Sequence, residues 1–208
     1  MLLLGLTLGL SAGLSPGPLM TLVITTTLRD GLWHGLRVAA APFVTDLPII
    51  LLSVFVLGLL PSWTLAVVGV IGGGYVIYLG WETVRSARQA GVQLPAGAPA
   101  GGAVSGRQAL LRGAAVNALN PHPYLFWATE GGPTLLAAFS QSLLRGLLFL
   151  LGFYITLIGS KVAVAALVHS QSRRFTAIWY QRVLTLLGLL LMGLGLWLGW
   201  QAVQLAVL

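Results

Sequence analysis

The sequence predicts an all-α integral membrane protein: six transmembrane helices as two inverted three-helix repeats, with the first helix of each half broken. Three observations lead there. The chain is almost free of charge, each half carries a proline-rich break in a corresponding span, and the arginines gather in alternate loops. Of 208 residues, 57% are hydrophobic and 7% charged, with a mean hydropathy of +0.93; a soluble domain carries about 25% charged residues. The net charge of +7 comes from short loops between apolar runs, so it reads as membrane orientation and not as a nucleic-acid-binding face.

The first span runs from about Leu2 to Leu28, 27 residues without a charge, where ~20 helical residues cross the hydrocarbon. It lacks a positively charged start and outlasts a signal sequence, so it is expected to stay in the membrane. The second span is expected over 38–60, the third over 63–81, the fourth over 110–139 with an interruption, the fifth over 143–168 and the sixth over 183–207. Residues 1–88 form the first repeat and 109–208 the second. The Gly-, Ala- and Pro-rich stretch between them, 89–108, is expected to be a flexible cytoplasmic linker.

With six spans, Arg29 and Arg37, then Arg85, Arg88, Arg107 and Arg112, then Arg173, Arg174 and Arg182 fall on one side, against Arg145 alone on the other. The positive-inside rule makes the arginine side cytoplasmic and turns both termini outward. Three spans per half is an odd number, so the second half must be inverted relative to the first.

The breaks are Ser15-Pro16-Gly17-Pro18 and Asn120-Pro121-His122-Pro123. Proline removes a backbone donor and frees a carbonyl one turn earlier. In hydrocarbon such groups persist only when buried in protein or facing a water-filled cavity. Paired broken helices point to a substrate site near the midplane of a transporter. The half-helices following Pro18 and Pro123 would turn free N–H groups towards a carboxylate. Ser15 and Asn120 are capping types that would bond backbone or ligand.

Few ionisable residues lie within the spans. Asp46 and Lys161 stand at matching depths, about 12 Å from the cytoplasmic end, where a charge costs ~2.5–3.5 kcal/mol and faces a cavity or a partner. Two readings stay open: a static ion pair, or proton and substrate coupling through Asp46 with Lys161 changing partner. Glu130, before Gly131-Gly132-Pro133, is either part of a bent outer gate or an interfacial loop residue. His122 is either a hydrogen-bonded core residue or a proton relay. His34 and His169 are expected in solvated loops, and Glu82 with Arg85 as a helix-surface pair. Trp63, Trp179, Tyr180, Trp197 and Trp200 read as interfacial anchors.

Glycines at 5, 9, 13 and 17, with Gly69/Gly73 and Gly195/Gly199, form ridges of small residues that let membrane helices approach closely. Such ridges serve packing within one chain or between the subunits of a homo-oligomer.

The chain has no cysteine, which removes thiolate metal sites and thiol chemistry. Three scattered histidines make no metal site. Without a nucleophile elbow or a His-Glu-x-x-His motif, an enzyme is not expected, and no cofactor is required.

Ser15-Pro16-Gly17-Pro18, then Gly31 and Gly35 ahead of Asp46, then Asn120-Pro121 in the fourth span, together resemble the lysine exporter (LysE/RhtB) family over nearly the whole chain. The resemblance implies export of amino acids or related small metabolites from the bacterial cytoplasm, through the inner membrane, driven by protons. The implied partners are an amino-acid-like solute, protons and the lipid bilayer. The chain departs from the family pattern at His122-Pro123, where many members have lysine after Asn-Pro, and at Thr45-Asp46-Leu47-Pro48. An ion (metal) exporter or a channel-like membrane subunit of the same fold is the alternative.

Overall fold

The computed structural model describes residues 1–15, 17–55, 63–90, 105–172 and 177–207. Among these every regular element is helical: α1 (Leu2–Leu14), α2 (Pro18–Asp30), α3 (Leu32–Ala39), α4 (Ala41–Phe55), α5 (Trp63–Ala90), α6 (Gly106–Ala118), α7 (Pro121–Phe126), a π-helical turn (Trp127–Gly131), α8 (Gly132–Gln141), α9 (Leu143–Ser172) and α10 (Ala177–Val207). Among the described residues three segments are long and apolar enough to cross a membrane: Leu32–Phe55, Leu143–Gln171 and Gln181–Gln204. The pair α1 and α2, bent by 65°, makes a fourth if it counts as one span. This marks a multi-pass membrane protein.

α2 is the hub. It is buried on nearly all sides, with Val23 fully enclosed, and it touches α3, α6, α9 and α10. A helix buried all round is expected to be apolar all round, yet this one is rich in threonine. Three of its four hydroxyls bond its own backbone: Thr21 Oγ1 donates to the Gly17 carbonyl at 3.0 Å, Thr25 to Leu22 at 3.1 Å and Thr27 to Val23 at 2.7 Å. The helix stops at Gly31, whose φ of 91° favours glycine. α3 then folds back with Gly35 against Thr27, where a Cβ would collide with the threonine side chain.

The glycine ridges pack within the chain. Gly5, Gly9 and Gly13 are the buried residues of α1, and a Cβ on any of them would run into the backbone or hydroxyls of α9. Thr156 of α9 donates to the Leu6 carbonyl at 2.9 Å across this contact. Gly73 and Gly80 of α5 meet Gly188, Gly195 and Gly199 of α10 in the same way. Gly17 departs from the pattern: open space lies around it. Small residues let backbones close up where lipid gives no hydrophobic drive.

Several local expectations are corrected. The helix does not end at Gly131-Gly132-Pro133. Gly132 N–H bonds the Trp127 carbonyl, five residues back, and this wider turn carries the chain past the donor that Pro133 lacks. The linker expected over 89–108 begins and ends in helix: α5 reaches Ala90, and α6 opens on a capping box in which Ser105 and Gln108 bond each other's backbone; residues 91–104 lie outside the described residues. His34 and His169 sit inside α3 and α9, not in loops.

Candidate functional site

The two breaks are built differently. α2 starts at Pro18 with Gly17 extended before it and no side chain capping it. Pro18 has no N–H, so the amides of Leu19 and Met20 have no acceptor within the helix. Gly17, not Ser15, stands at the N-cap; Ser15 closes α1, its N–H on the Ser11 carbonyl at 3.1 Å. Pro16 lies outside the described residues.

The second break is closed on itself. Asn120 caps α7 by accepting from His122 N–H at 3.1 Å. Asn120 N–H takes the Asn117 carbonyl at 3.3 Å, and the Tyr124 hydroxyl takes the Ala118 carbonyl at 2.8 Å. α7 begins at Pro121, ahead of Pro123, and neither proline has an N–H. The free amides expected after Pro123 are therefore missing, and among the described residues the helix start left without a side-chain cap, of the two at the breaks, is that of α2.

A cavity of about 320 Å³ lies between the breaks. Its wall takes Ser15, Gly17 and Pro18 from the first break and Asn120, His122 and Pro123 from the second, together with Asp46 of α4 and Lys161 of α9. Glu130 is not part of it; its side chain is exposed on the π turn. The remaining wall is largely apolar. Phe153, Leu157 and Lys161 follow one another at four-residue intervals along α9, about 6 Å apart. Phe153 packs on Phe126 at 5.4 Å and Trp127 at 5.1 Å between ring centres. His122 stacks on Trp197 at 5.3 Å, so Trp197 belongs to the cavity wall and is not only an interfacial anchor.

Asp46 and Lys161 are each only 4% exposed, and they do not pair. Asp46 Oδ1 accepts from Asn117 Nδ2 at 2.8 Å, and Oδ2 from the Tyr154 hydroxyl at 3.2 Å. Asn117 Nδ2 also donates to Thr45 Oγ1 at 2.7 Å. Lys161 Nζ donates to the Gly13 carbonyl at 3.0 Å, four residues before Gly17 in the chain. Among the described residues the ion pairs lie elsewhere, and two buried charges of opposite sign face one cavity separately.

Those ion pairs form a second cluster. Glu82 Oε1 of α5 accepts from Arg29 of α2 at 3.0 Å and from Arg112 of α6 at 3.2 Å, while Arg29 also approaches Asp30 at 3.5 Å. Arg29 is buried and not the loop residue expected. Glu82 does not pair with Arg85, whose guanidinium lies over the Trp81 ring at 5.4 Å. A void of about 10 Å³ lies inside the cluster, lined by Thr25 and Thr26 as well, room for about one water.

Asn117, Tyr154, Phe126, Trp127, Phe153 and Leu157 were not singled out by sequence reasoning. Asn117 had a signal, an uncharged polar residue inside an apolar span three residues before the break. The aromatic residues had none, because periodicity does not distinguish a cavity wall from a core.

A family model described as LysE type translocator matches residues 10–202. No curated protein and no solved structure matches the chain.

Proposed function

The chain belongs to the LysE type translocator family, and on that premise we propose that it exports amino acids or related small metabolites across the bacterial inner membrane by secondary, proton-coupled transport. The observation that carries this reading is the pair Asp46 and Lys161, both buried, both on one cavity, and each bonded to something other than its counterpart. A zwitterion complements that arrangement. Its ammonium would replace neutral donors at Asp46. Its carboxylate would lie between Lys161 and the uncapped Leu19 and Met20 amides. Isolated buried charges are costly, and a ligand supplying both counter-charges recovers part of that cost at both ends.

In this reading α1–α2 and α6–α8 are the broken first spans of two inverted repeats, and α3–α4, α5, α9 and α10 are the other four. The last spans of the two halves, α5 and α10, pair along their glycine ridges, a contact compatible with a two-fold relation between the halves. The arginine-rich side is cytoplasmic and both termini face out. The Arg29–Glu82–Arg112 cluster then closes the cytoplasmic side of the cavity, about 9 Å along α2 from Met20 to Thr26. It ties first-half helices to a second-half helix, so it must part when one repeat rocks against the other. A proton on Asp46 would release the substrate ammonium, which couples proton entry to export.

Reconstitution into proteoliposomes tests the proposal. Accumulation of an amino acid against its gradient, collapsing with a protonophore, is the expected result. Leak limited by the solute gradient, or chemical change of the solute, would refute it. The absence of cysteine makes topology directly measurable: cysteines placed at Arg88 and Arg107 should react only from the cytoplasmic side.

A further inference from the structure

Resting on the export reading, we infer that the substrate is an α-amino acid with an uncharged, apolar side chain, and that Phe126 with Phe153 forms the wall against which that side chain packs. The charges on the cavity are counted easily. Among the described residues its wall holds one carboxylate, Asp46, and one ammonium, Lys161. The α-ammonium and α-carboxylate of a zwitterion use both. A lysine-like side chain would bring a second cation with no second carboxylate on the described wall to meet it, and a glutamate-like one a second anion with no second ammonium, the His122 ring being stacked on Trp197. Burying such a charge unpaired is what apolar membrane interiors oppose most strongly.

The neutral polar groups nearby are largely committed. Asn117 gives its amide to Thr45 and Asp46, the Asn120 side-chain oxygen holds His122 N–H, and the His122 ring lies against Trp197. The wall that remains is apolar. Along α9 it passes from Lys161 through Leu157 to Phe153, a rise of about 12 Å, and Phe126 stacks on Phe153 at 5.4 Å. An amino acid bound at the Lys161 end therefore extends its side chain towards rings, in a cavity of about 320 Å³, at the small end of ligand sites.

The test uses the full-length protein in proteoliposomes with labelled leucine, methionine, phenylalanine, lysine, arginine and glutamate under one imposed proton gradient. The apolar three should move at least about tenfold faster than the charged three. Equal or faster movement of lysine, arginine or glutamate overturns this inference and leaves the export reading intact. Movement of none of the six overturns this inference, and failure of a wider panel of amino acids and related small metabolites to move removes the export reading as well. Phe126→Glu places a second anion on the apolar wall and should shift preference towards lysine. Phe126→Ala keeps the wall apolar but enlarges it, and should favour phenylalanine over leucine. Correctly folded variants that both retain the parent preference would overturn the assignment of the wall.

Discussion

The side-chain amide of Asn117 donates to Asp46 Oδ1 at 2.8 Å, joining the helix that precedes the second break to the carboxylate facing the first. The bond links the two halves of the chain inside the cavity wall. Asn117→Leu removes the donor to Asp46 and to Thr45 together and should lower stability by about 1–3 kcal/mol. Combined with Asp46→Asn the losses should be non-additive by about 0.5–3 kcal/mol, as for residues in one network. Unfolding of the four proteins in detergent measures this, and additive losses would show that the two residues act independently.

Asp46→Asn keeps the shape and removes the charge. Uphill export should disappear while membrane insertion is preserved, because transport is assigned to the ionisable group and folding to its hydrogen bonds. Unchanged, pH-sensitive transport in that variant would take Asp46 out of the mechanism. Lys161→Met should instead weaken substrate affinity by about tenfold or more, the loss of a charge-assisted bond to a carboxylate. Equal affinity for parent and variant would place the carboxylate elsewhere.

The glycines divide by what surrounds them. Gly9→Ala forces a methyl group into the Phe153 carbonyl and the Thr156 hydroxyl and should cost about 1–3 kcal/mol through overpacking. Gly159 has open space at its Cβ position, so Gly159→Ala should be neutral or stabilising by about 0.5–1 kcal/mol. Thermal unfolding ranks the two. The reverse order would mean that the α1–α9 contact is looser than the close approach described here.

Glu82→Gln leaves Arg29 and Arg112 without their shared carboxylate oxygen. If the cluster closes the cavity, a cysteine introduced at Thr25 should react faster from the arginine-rich side in the Glu82→Gln background, by about tenfold for 1.4 kcal/mol of lost closure. Identical rates in both backgrounds would make the cluster a purely structural tie.

Legibility followed the kind of signal. The membrane class and both breaks were readable, since long chargeless runs and prolines within them act locally. So were Asp46 and Lys161, because a charge in an apolar span stands out by itself. Their partners were not readable. The sequence predicts an Asp46–Lys161 pair from depth along two helices, but rotation about each helix axis sets which group a side chain meets. That rotation brings Asn117 and Tyr154 to Asp46 and the Gly13 carbonyl to Lys161. Glu82 followed the same rule: Arg85 is its neighbour along the helix, while Arg29 and Arg112 reach it across helices.

By itself, then, the sequence determined that this chain is helical, membrane-bound and interrupted at Pro18 and Pro121, because backbone donors and hydrocarbon length are properties of a single segment. Only the tertiary structure decided that the two interruptions meet on one cavity, that among the described residues the second is capped by its own side chain while the first is not, and that the glycine ridges face inward. Those are relations between segments, and they depend on how closely the helix backbones can approach.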